Sequence, residues 1–89
     1  MIAPTTTDQK KPNDRVARQV GAAIRRLRLE RGLMGKQLAS RAGISMPMLS
    51  RYEHGHQHPT LPTLVKLLRT LGCSAEDFGK RLGPWGCLP

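Results

Sequence analysis

The sequence has few aromatic and few acidic residues. Three of its 89 residues are aromatic, and six Asp and Glu stand against fifteen Lys and Arg, which gives a formal net charge of +9. With so few aromatic residues, the core must be built mainly from aliphatic side chains. This favours packed helices over a β-sandwich, which draws on aromatic and β-branched residues. The positive excess predicts a polyanionic partner: nucleic acid first, with an anionic membrane surface or an acidic protein as alternatives.

Cysteines and long apolar runs are also scarce. Cys73 and Cys87 are too few for a disulfide scaffold and indicate free thiols in a reducing compartment. No apolar run approaches the roughly 20 residues of a membrane span, and the N-terminus lacks the apolar region of a signal peptide. Glycine-rich phosphate loops, HExxH motifs and evident carboxylate pairs are missing as well. We therefore expect a cytoplasmic, non-enzymatic protein without cofactor, metal, membrane contact or small-molecule substrate.

Composition divides the chain into an arm, one domain and a tail. Residues 1–12 are polar and contain three consecutive threonines and two prolines, so we expect a disordered N-terminal arm. Residues 13–82 are long enough for a single domain with one modest core. Residues 83–89 are rich in glycine and proline and cannot form a regular helix.

Hydrophobic periodicity predicts an all-α fold of about five short helices. The first spans about 14–31, because its apolar residues recur at steps of four, four and three. The fourth follows Thr60 and stops at Gly72, and the fifth starts at Ser74, which resembles a capping box with Asp77 three residues later. The apolar faces of these three helices are, in order, Val16, Val20, Ile24 and Leu27; Leu61, Leu64, Leu67, Leu68 and Leu71; and Phe78 and Leu82.

The second and third helices are separated by a turn of about three residues. The second has an apolar edge at residues 38–42 and ends at Gly43. Ser45 is a suitable N-cap for the third, and Pro47 is tolerated in a first helical turn, where N–H groups lack partners within the helix. The three-residue spacing of Leu49 and Tyr52 predicts that they form the buried edge of this helix. The arrangement predicts a helix-turn-helix between residues 35 and 55.

The residues of this segment and its surroundings resemble the lambda-repressor-like (Cro/CI, or Xre) family of DNA-binding domains. The resemblance covers about residues 20–80, and the turn glycine, the Ser-Arg-x-Glu-x-Gly stretch and the downstream proline all fall at the family spacing. The residues that carry it are Ile24-Arg25-Arg26-Leu27-Arg28, Glu30-Arg31-Gly32-Leu33, Leu38-Ala39, Arg41-Ala42-Gly43-Ile44-Ser45, Leu49-Ser50-Arg51-Tyr52-Glu53, Gly55, and Pro59-Thr60-Leu61 with Leu64.

The resemblance implies a compact bundle whose third helix, at about 45–54, enters the major groove of operator DNA, usually as part of a two-fold dimer. It implies base contacts at Met46, Pro47, Ser50 and Arg51. It also implies an internal salt bridge between Arg28 and Glu53, although the two could simply be separate surface charges. The phosphate-contacting positions that it implies are Gly35, Lys36, Gln37, Ser45, His54 and His56.

The chemistry of the base-reading positions can be stated separately. Arg51 can donate two hydrogen bonds to guanine O6 and N7, and Ser50 can donate or accept. Met46 and Pro47 either touch thymine methyl groups or simply fill the surface near the turn. The chain departs from the family at Met34-Gly35, where members commonly have Thr-Gln, so we expect a second helix without its usual cap.

Three features leave alternatives open. The histidines at 54, 56 and 58 could join a cysteine in a metal site, but phosphate contact or a solvated loop fits their spacing better. Phe78, Leu82 and Trp85 are core or interface residues. We expect a dimer interface, and the alternative is a tail folded back on its own domain. If the fifth helix and the tail instead bind a partner protein, the chain is an adaptor or antitoxin-like module in which DNA binding is secondary.

Overall fold

A computed structural model of the protein describes the backbone of residues 4–82 and the side chains of residues 15–82. Within this range the chain forms five helices and no strand, which confirms the all-α prediction. The helices are α1 (Pro4–Glu30), α2 (Gly35–Ala42), α3 (Met46–Glu53), α4 (Leu61–Leu71) and α5 (Ala75–Arg81). None of these described helices is both long enough and apolar enough to cross a membrane.

The first helix differs from its prediction at its N-terminal end. α1 begins at Pro4, ten residues before the expected start, so residues 4–12 are helical where we expected a disordered arm. An established helix gains one hydrogen bond for each residue added, so no apolar periodicity is needed to lengthen it. Pro4 suits a first turn, where its missing N–H would have no partner within the helix. Residues 1–3 and 83–89, and with them the predicted tail, lie outside the described residues.

The turn between α2 and α3 has the geometry that its sequence predicts. Gly43 adopts φ 73°, and the N–H groups of Gly43 and Ile44 donate to the carbonyls of Ser40 and Ala39. This pattern ends a helix and satisfies two of its last carbonyls. The Ser45 hydroxyl then accepts from the Met48 N–H at 3.2 Å and caps α3. α2 and α3 are thereby joined in a helix-turn-helix.

The core is mainly aliphatic and contains side chains from all five helices. Phe78 is the single buried contribution from α5, at 4% exposure. Thr60 and Ser74 cap α4 and α5 as predicted, by accepting from the Thr63 and Asp77 N–H groups. The buried core cluster comprises Ala23, Ile24, Leu27, Leu38, Ala39, Ala42, Leu49, Tyr52, Leu67, Leu68, Leu71 and Phe78.

Two glycines bring α1 unusually close to α3. A Cβ on Gly21 would overlap the carbonyl oxygen of Tyr52 and lie 2.8 Å from that of Glu53. Gly55, at φ 76°, has a Cβ position only 2.8 Å from the Arg18 Cα. Real Cβ atoms do not approach backbone this closely, so both positions require glycine. The orientation of α3 is therefore set by direct backbone contact with α1.

Candidate nucleic-acid interface

The four residues predicted to read bases lie on the solvent side of α3. Leu49 and Tyr52 face the core, whereas Met46, Pro47 and Arg51 are exposed and Ser50 is half-buried. Met46 is 43% exposed although its side chain is apolar. The helix thus presents a guanidinium, a hydroxyl and two apolar groups on one surface, which are groups able to contact base edges in a major groove.

Ser50 and His54 form a local pair at the C-terminal end of α3. His54 Nδ1 lies 2.8 Å from the Ser50 carbonyl oxygen and 3.3 Å from its hydroxyl oxygen. Because a carbonyl can only accept, Nδ1 carries the proton and donates to it. The His54 ring also stacks against His56, with 6.2 Å between the ring centroids. The position of the Ser50 hydroxyl is thus tied to that of His54.

The first turn of α2 lacks the usual side-chain cap, as its sequence at Met34-Gly35 predicts, but Gln37 bonds back to its start. The side-chain oxygen of Gln37 accepts a hydrogen bond from the Met34 N–H at 2.8 Å. This is half of a capping box; the other half, an acceptor on the side chain of residue 34, is missing as predicted. The N–H groups of Gly35 and Lys36 lie in the same turn, where a helix offers them no partner of its own. The start of α2 therefore presents backbone donors to solvent.

Gly35 makes room for the side chain of Met46. A Cβ at position 35 would lie 3.2 Å from the Met46 Cε and 3.3 Å from its Sδ. These distances are tighter than ordinary packing, so a larger residue would displace the thioether. The small residue on α2 thus accommodates the large one on α3.

Arg28 and Glu53, predicted to pair, form a bidentate ion pair between α1 and α3. Arg28 Nε and Nη2 donate to the two carboxylate oxygens of Glu53 at 2.7 and 3.0 Å, and Nη1 donates to the Leu33 carbonyl. The side chains are only 13% and 6% exposed. The hydrogen bond to Glu53 raises the pKa of Arg28 above its ordinary value. The pair therefore stays charged and holds α3 against α1.

A cleft beside α3 contains a cation that the sequence analysis did not select. Arg25 of α1 lines it together with Met46, Ser50 and His54, and the Arg28–Glu53 pair forms another part of its wall. Arg25 is exposed. Its sequence position gave no sign of this role, because Arg25 and Arg26 are adjacent and only the packing of α1 shows which one faces α3.

The described acidic side chains lie away from the exposed side of α3. Four acidic side chains are described, and three of them lie at or beside α5: Glu76 and Asp77 in its first turn, and Glu30, which pairs with Arg81 at 3.0 Å. The fourth, Glu53, is neutralised by Arg28. The surface around the exposed side of α3 therefore has no unpaired acidic residue among the described side chains.

The remaining predicted site residues are partly exposed and partly buried. Lys36, Ser45 and His56 are exposed, the first two at the starts of α2 and α3 and the third in the loop after α3. Phe78 is buried, so it belongs to the core and not to the expected dimer interface, because α5 needs an anchor against α1 and α4. Leu82 packs partly against the same core, and Trp85 lies outside the described residues. No three His, Cys, Asp or Glu residues in the described range are grouped to hold a metal.

Comparison with known proteins places this geometry in a family. A family model described as helix-turn-helix matches residues 24–78. The HTH-type transcriptional regulator DdrOP3 of Deinococcus deserti is 46% identical over 55 residues, which are 62% of this chain and 43% of that protein. An HTH-type transcriptional regulator of Sinorhizobium fredii, y4dJ, is 42% identical over 59 residues, 66% of this chain and 77% of that protein.

A eukaryotic relative matches a longer stretch. The putative multi-protein-binding factor 1 of Yarrowia lipolytica is 36% identical over 74 residues, which are 81% of this chain and 49% of that protein. The chain thus spans less than half the length of the Deinococcus and Yarrowia relatives. With the family match covering the core, the turn and α3, the chain belongs to the Cro/CI-like helix-turn-helix family.

Proposed function

We propose that the protein binds double-stranded DNA sequence-specifically as a transcriptional regulator of the repressor type, with α3 in the major groove. One observation carries the proposal: the exposed side of α3 is the centre of a surface with several cations and no unpaired described carboxylate, while the other acidic groups lie near α5. A surface with cations and without free carboxylates attracts a polyanion. The HTH-type regulators among the relatives support the same function.

In this function the exposed residues of α3 read bases. Arg51 donates two hydrogen bonds to a guanine, and Ser50 contributes one contact, which is restricted by its hydrogen-bonding partner His54. Met46 and Pro47 contact thymine methyl groups. Gly35 leaves room beside α3 for the thioether of Met46, which is 43% exposed.

The ends of α2 and α3 bind phosphates on the two sides of the groove. At the start of α2, the N–H groups of Gly35 and Lys36, the Lys36 ammonium and the Gln37 amide nitrogen serve as donors. Ser45 at the start of α3 contributes its hydroxyl. At the other end of α3, His56 donates a ring N–H, and His54 does so through Nε2 when that nitrogen is also protonated, because Nδ1 already donates to the Ser50 carbonyl. These contacts position α3 but carry no base preference.

The regulator acts as a homodimer in this proposal. The family resemblance supports a two-fold dimer, in which two copies of α3 lie about one duplex turn, ~34 Å, apart on a near-palindromic operator. Leu82 and Trp85, at and after the end of α5, are the proposed contacts between the copies. Light scattering during size-exclusion chromatography tests this part directly, since a mass of one chain at micromolar concentration contradicts it.

The described surface of α5 does not favour the adaptor alternative. Its one large apolar residue, Phe78, is buried in the core. Its exposed residues include Glu76, Asp77 and Lys80, which offer a protein partner little apolar area. DNA binding therefore remains the proposed function.

Selection from a random duplex pool tests the proposal, with binding to a non-selected duplex measured alongside. We expect one preferred sequence and weaker, salt-sensitive binding to the other duplex. Arg51→Glu should lower affinity for the selected duplex at least about 100-fold, because a carboxylate would face the groove. Arg69→Glu is the matched control, because it makes the same charge change at an exposed residue of α4. Absence of duplex binding at low salt, or equal losses in both variants, would contradict the proposal.

A further inference from the structure

Two arginines of α1, Arg18 and Arg25, lie beside α3 but are not among the base and phosphate contacts proposed for α2, α3 and the following loop. Arg25 lines the cleft that also contains Ser50 and His54. Arg18 lies near the C-terminal end of α3, where its backbone and the stem of its side chain contact Gly55 in the loop that follows. Both therefore border the surface proposed to meet DNA.

Their charges are available, unlike those of other arginines nearby. Arg28 is bound to Glu53, Arg31 donates to the Leu71 carbonyl, and Arg81 is bound to Glu30. Arg18 and Arg25 are exposed, and neither forms an ion pair with another described residue. An exposed guanidinium without a carboxylate partner keeps its full attraction for phosphate.

Their spacing suits a phosphate strand. Seven residues separate the two positions, which is two helical turns, so both lie on the same face of α1 about 10 Å apart along the axis. Successive phosphates of one strand rise about 3.4 Å along the duplex axis. Two arginines at this separation can each reach a different phosphate of the strand that borders the groove.

We propose that Arg18 and Arg25 form a second phosphate-binding row on α1, which holds the DNA strand on the His54 side of the groove. The inference rests on the proposed function and extends it, because it adds contacts outside the helix-turn-helix. Arg18 also precedes the residues matched by the family model, so this contact lies outside the matched segment. The row contributes affinity and salt dependence but no sequence preference.

Charge-removing variants with intact stems test the row. Arg18→Gln and Arg25→Gln keep the aliphatic stem, including the contact of Arg18 with Gly55, and remove one charge each. Arg26→Gln is the matched control. Arg26 neighbours Arg25 on α1 and shares one groove with it and Glu53, but it does not line the cleft that contains Ser50 and His54 and lies instead beside Arg81 and Leu82. Affinity for a 25-base-pair duplex is measured by fluorescence anisotropy between 50 and 300 mM KCl, with circular dichroism to verify the fold.

We expect each row variant to reduce the magnitude of the negative slope of log K against log salt by about 0.9 and to lower the affinity about eightfold at 0.1 M salt. The double variant should show the sum of the two single-variant effects. Arg26→Gln should leave the slope unchanged, and the sequence selected from a random pool should be the same for all variants. Unchanged slopes in the row variants, an equal fall in Arg26→Gln, or an altered selected sequence would overturn the row. Failure of the wild type to bind any duplex would instead overturn the proposed function.

Discussion

The two sides of α3 are governed by different constraints. The inner side meets α1 at backbone distance, where Gly21 leaves no space for a single added carbon atom and Glu53 is held by Arg28. The outer side, with Met46 and Arg51, has few contacts within the protein. The inner side therefore determines whether α3 is placed correctly, and the outer side determines what α3 can bind once it is placed. The following predictions test whether stability and DNA preference separate in this way.

The largest effect is expected from Gly21→Ala. The new methyl group would overlap the Tyr52 carbonyl and force α1 and α3 apart, because neither backbone can yield without moving its helix. We expect a loss of at least about 3 kcal/mol in the free energy of unfolding, the upper part of the range for overpacked cores. Thermal and urea unfolding followed by circular dichroism measure it.

Gly79→Ala is the matched control for that substitution. A Cβ on Gly79, within α5, meets no atom within 4 Å, and alanine favours a helix more than glycine does. We expect no loss and a gain of up to about 1 kcal/mol. A stable Gly21→Ala variant with unchanged DNA binding would show that the α1–α3 contact is less restrictive than the distances indicate.

Glu53→Gln should produce the second largest effect. The amide keeps the shape of the carboxylate but leaves the Arg28 guanidinium without its counter-charge at a largely buried position. Losing one partner of a fully buried pair costs about 3–5 kcal/mol, and we expect about 2 kcal/mol here because Arg28 retains the Leu33 carbonyl and some solvent contact. That corresponds to a fall in Tm of roughly 10 °C.

Glu76→Gln is the control for the ion-pair prediction. Glu76 lies 3.9 Å from Lys80 on the surface of α5, and both side chains are largely exposed. Exposed pairs of this kind contribute little, so the free energy of unfolding should stay within about 0.5 kcal/mol of the wild type. Equal losses in the Glu53 and Glu76 variants would mean that removal of negative charge, and not loss of the α1–α3 pair, is responsible.

The inner side of α3 could largely be predicted from sequence. Leu49 and Tyr52 lie three residues apart and follow a glycine turn with a serine cap, and each of these signals is local. The Arg28–Glu53 pair came from family spacing. The need for glycine at position 21 was not predicted, because it depends on how close two helices come, and no local pattern encodes that distance.

The residues on the outer side could be predicted from the sequence, but the hydrogen bonds and packing between their side chains could not. The hydrogen bond at the Met34 N–H comes from Gln37, a residue assigned only to phosphate contact, since a side chain that folds back on its own helix leaves no separate signal. The contact between Gly35 and Met46 links two helices across the turn. Phe78 was assigned to an interface because its helix is short, yet a short terminal helix needs its largest residue as an anchor.

Arg51→Ala tests the outer side and should have a smaller effect, on DNA preference alone. Because the side chain is exposed, its removal should leave the free energy of unfolding within about 0.5 kcal/mol of the wild type. Discrimination against the wrong base at one operator position should fall by about 1–3 kcal/mol, or roughly 5- to 150-fold. Competition binding against selected and single-mismatch duplexes measures it, with Arg69→Ala as control. Equal losses on all duplexes would assign Arg51 to phosphate contact.

The smallest effect is expected at the pair between Glu30 and Arg81, which joins α1 to α5 far from the DNA-facing side of α3. The hydrogen bond from Arg81 lowers the pKa of Glu30 below its ordinary value of 4.5. A carboxylate with a lowered pKa in the folded state adds stability that is fully present above its unfolded pKa and is lost as the pH falls through the folded one. Glu30→Gln should therefore lower Tm slightly at pH 7, and by less as the pH falls below the ordinary pKa of 4.5. Because both side chains are well exposed, a Tm change as large as that of Glu53→Gln would contradict the distinction between a surface pair and the largely buried pair that places α3.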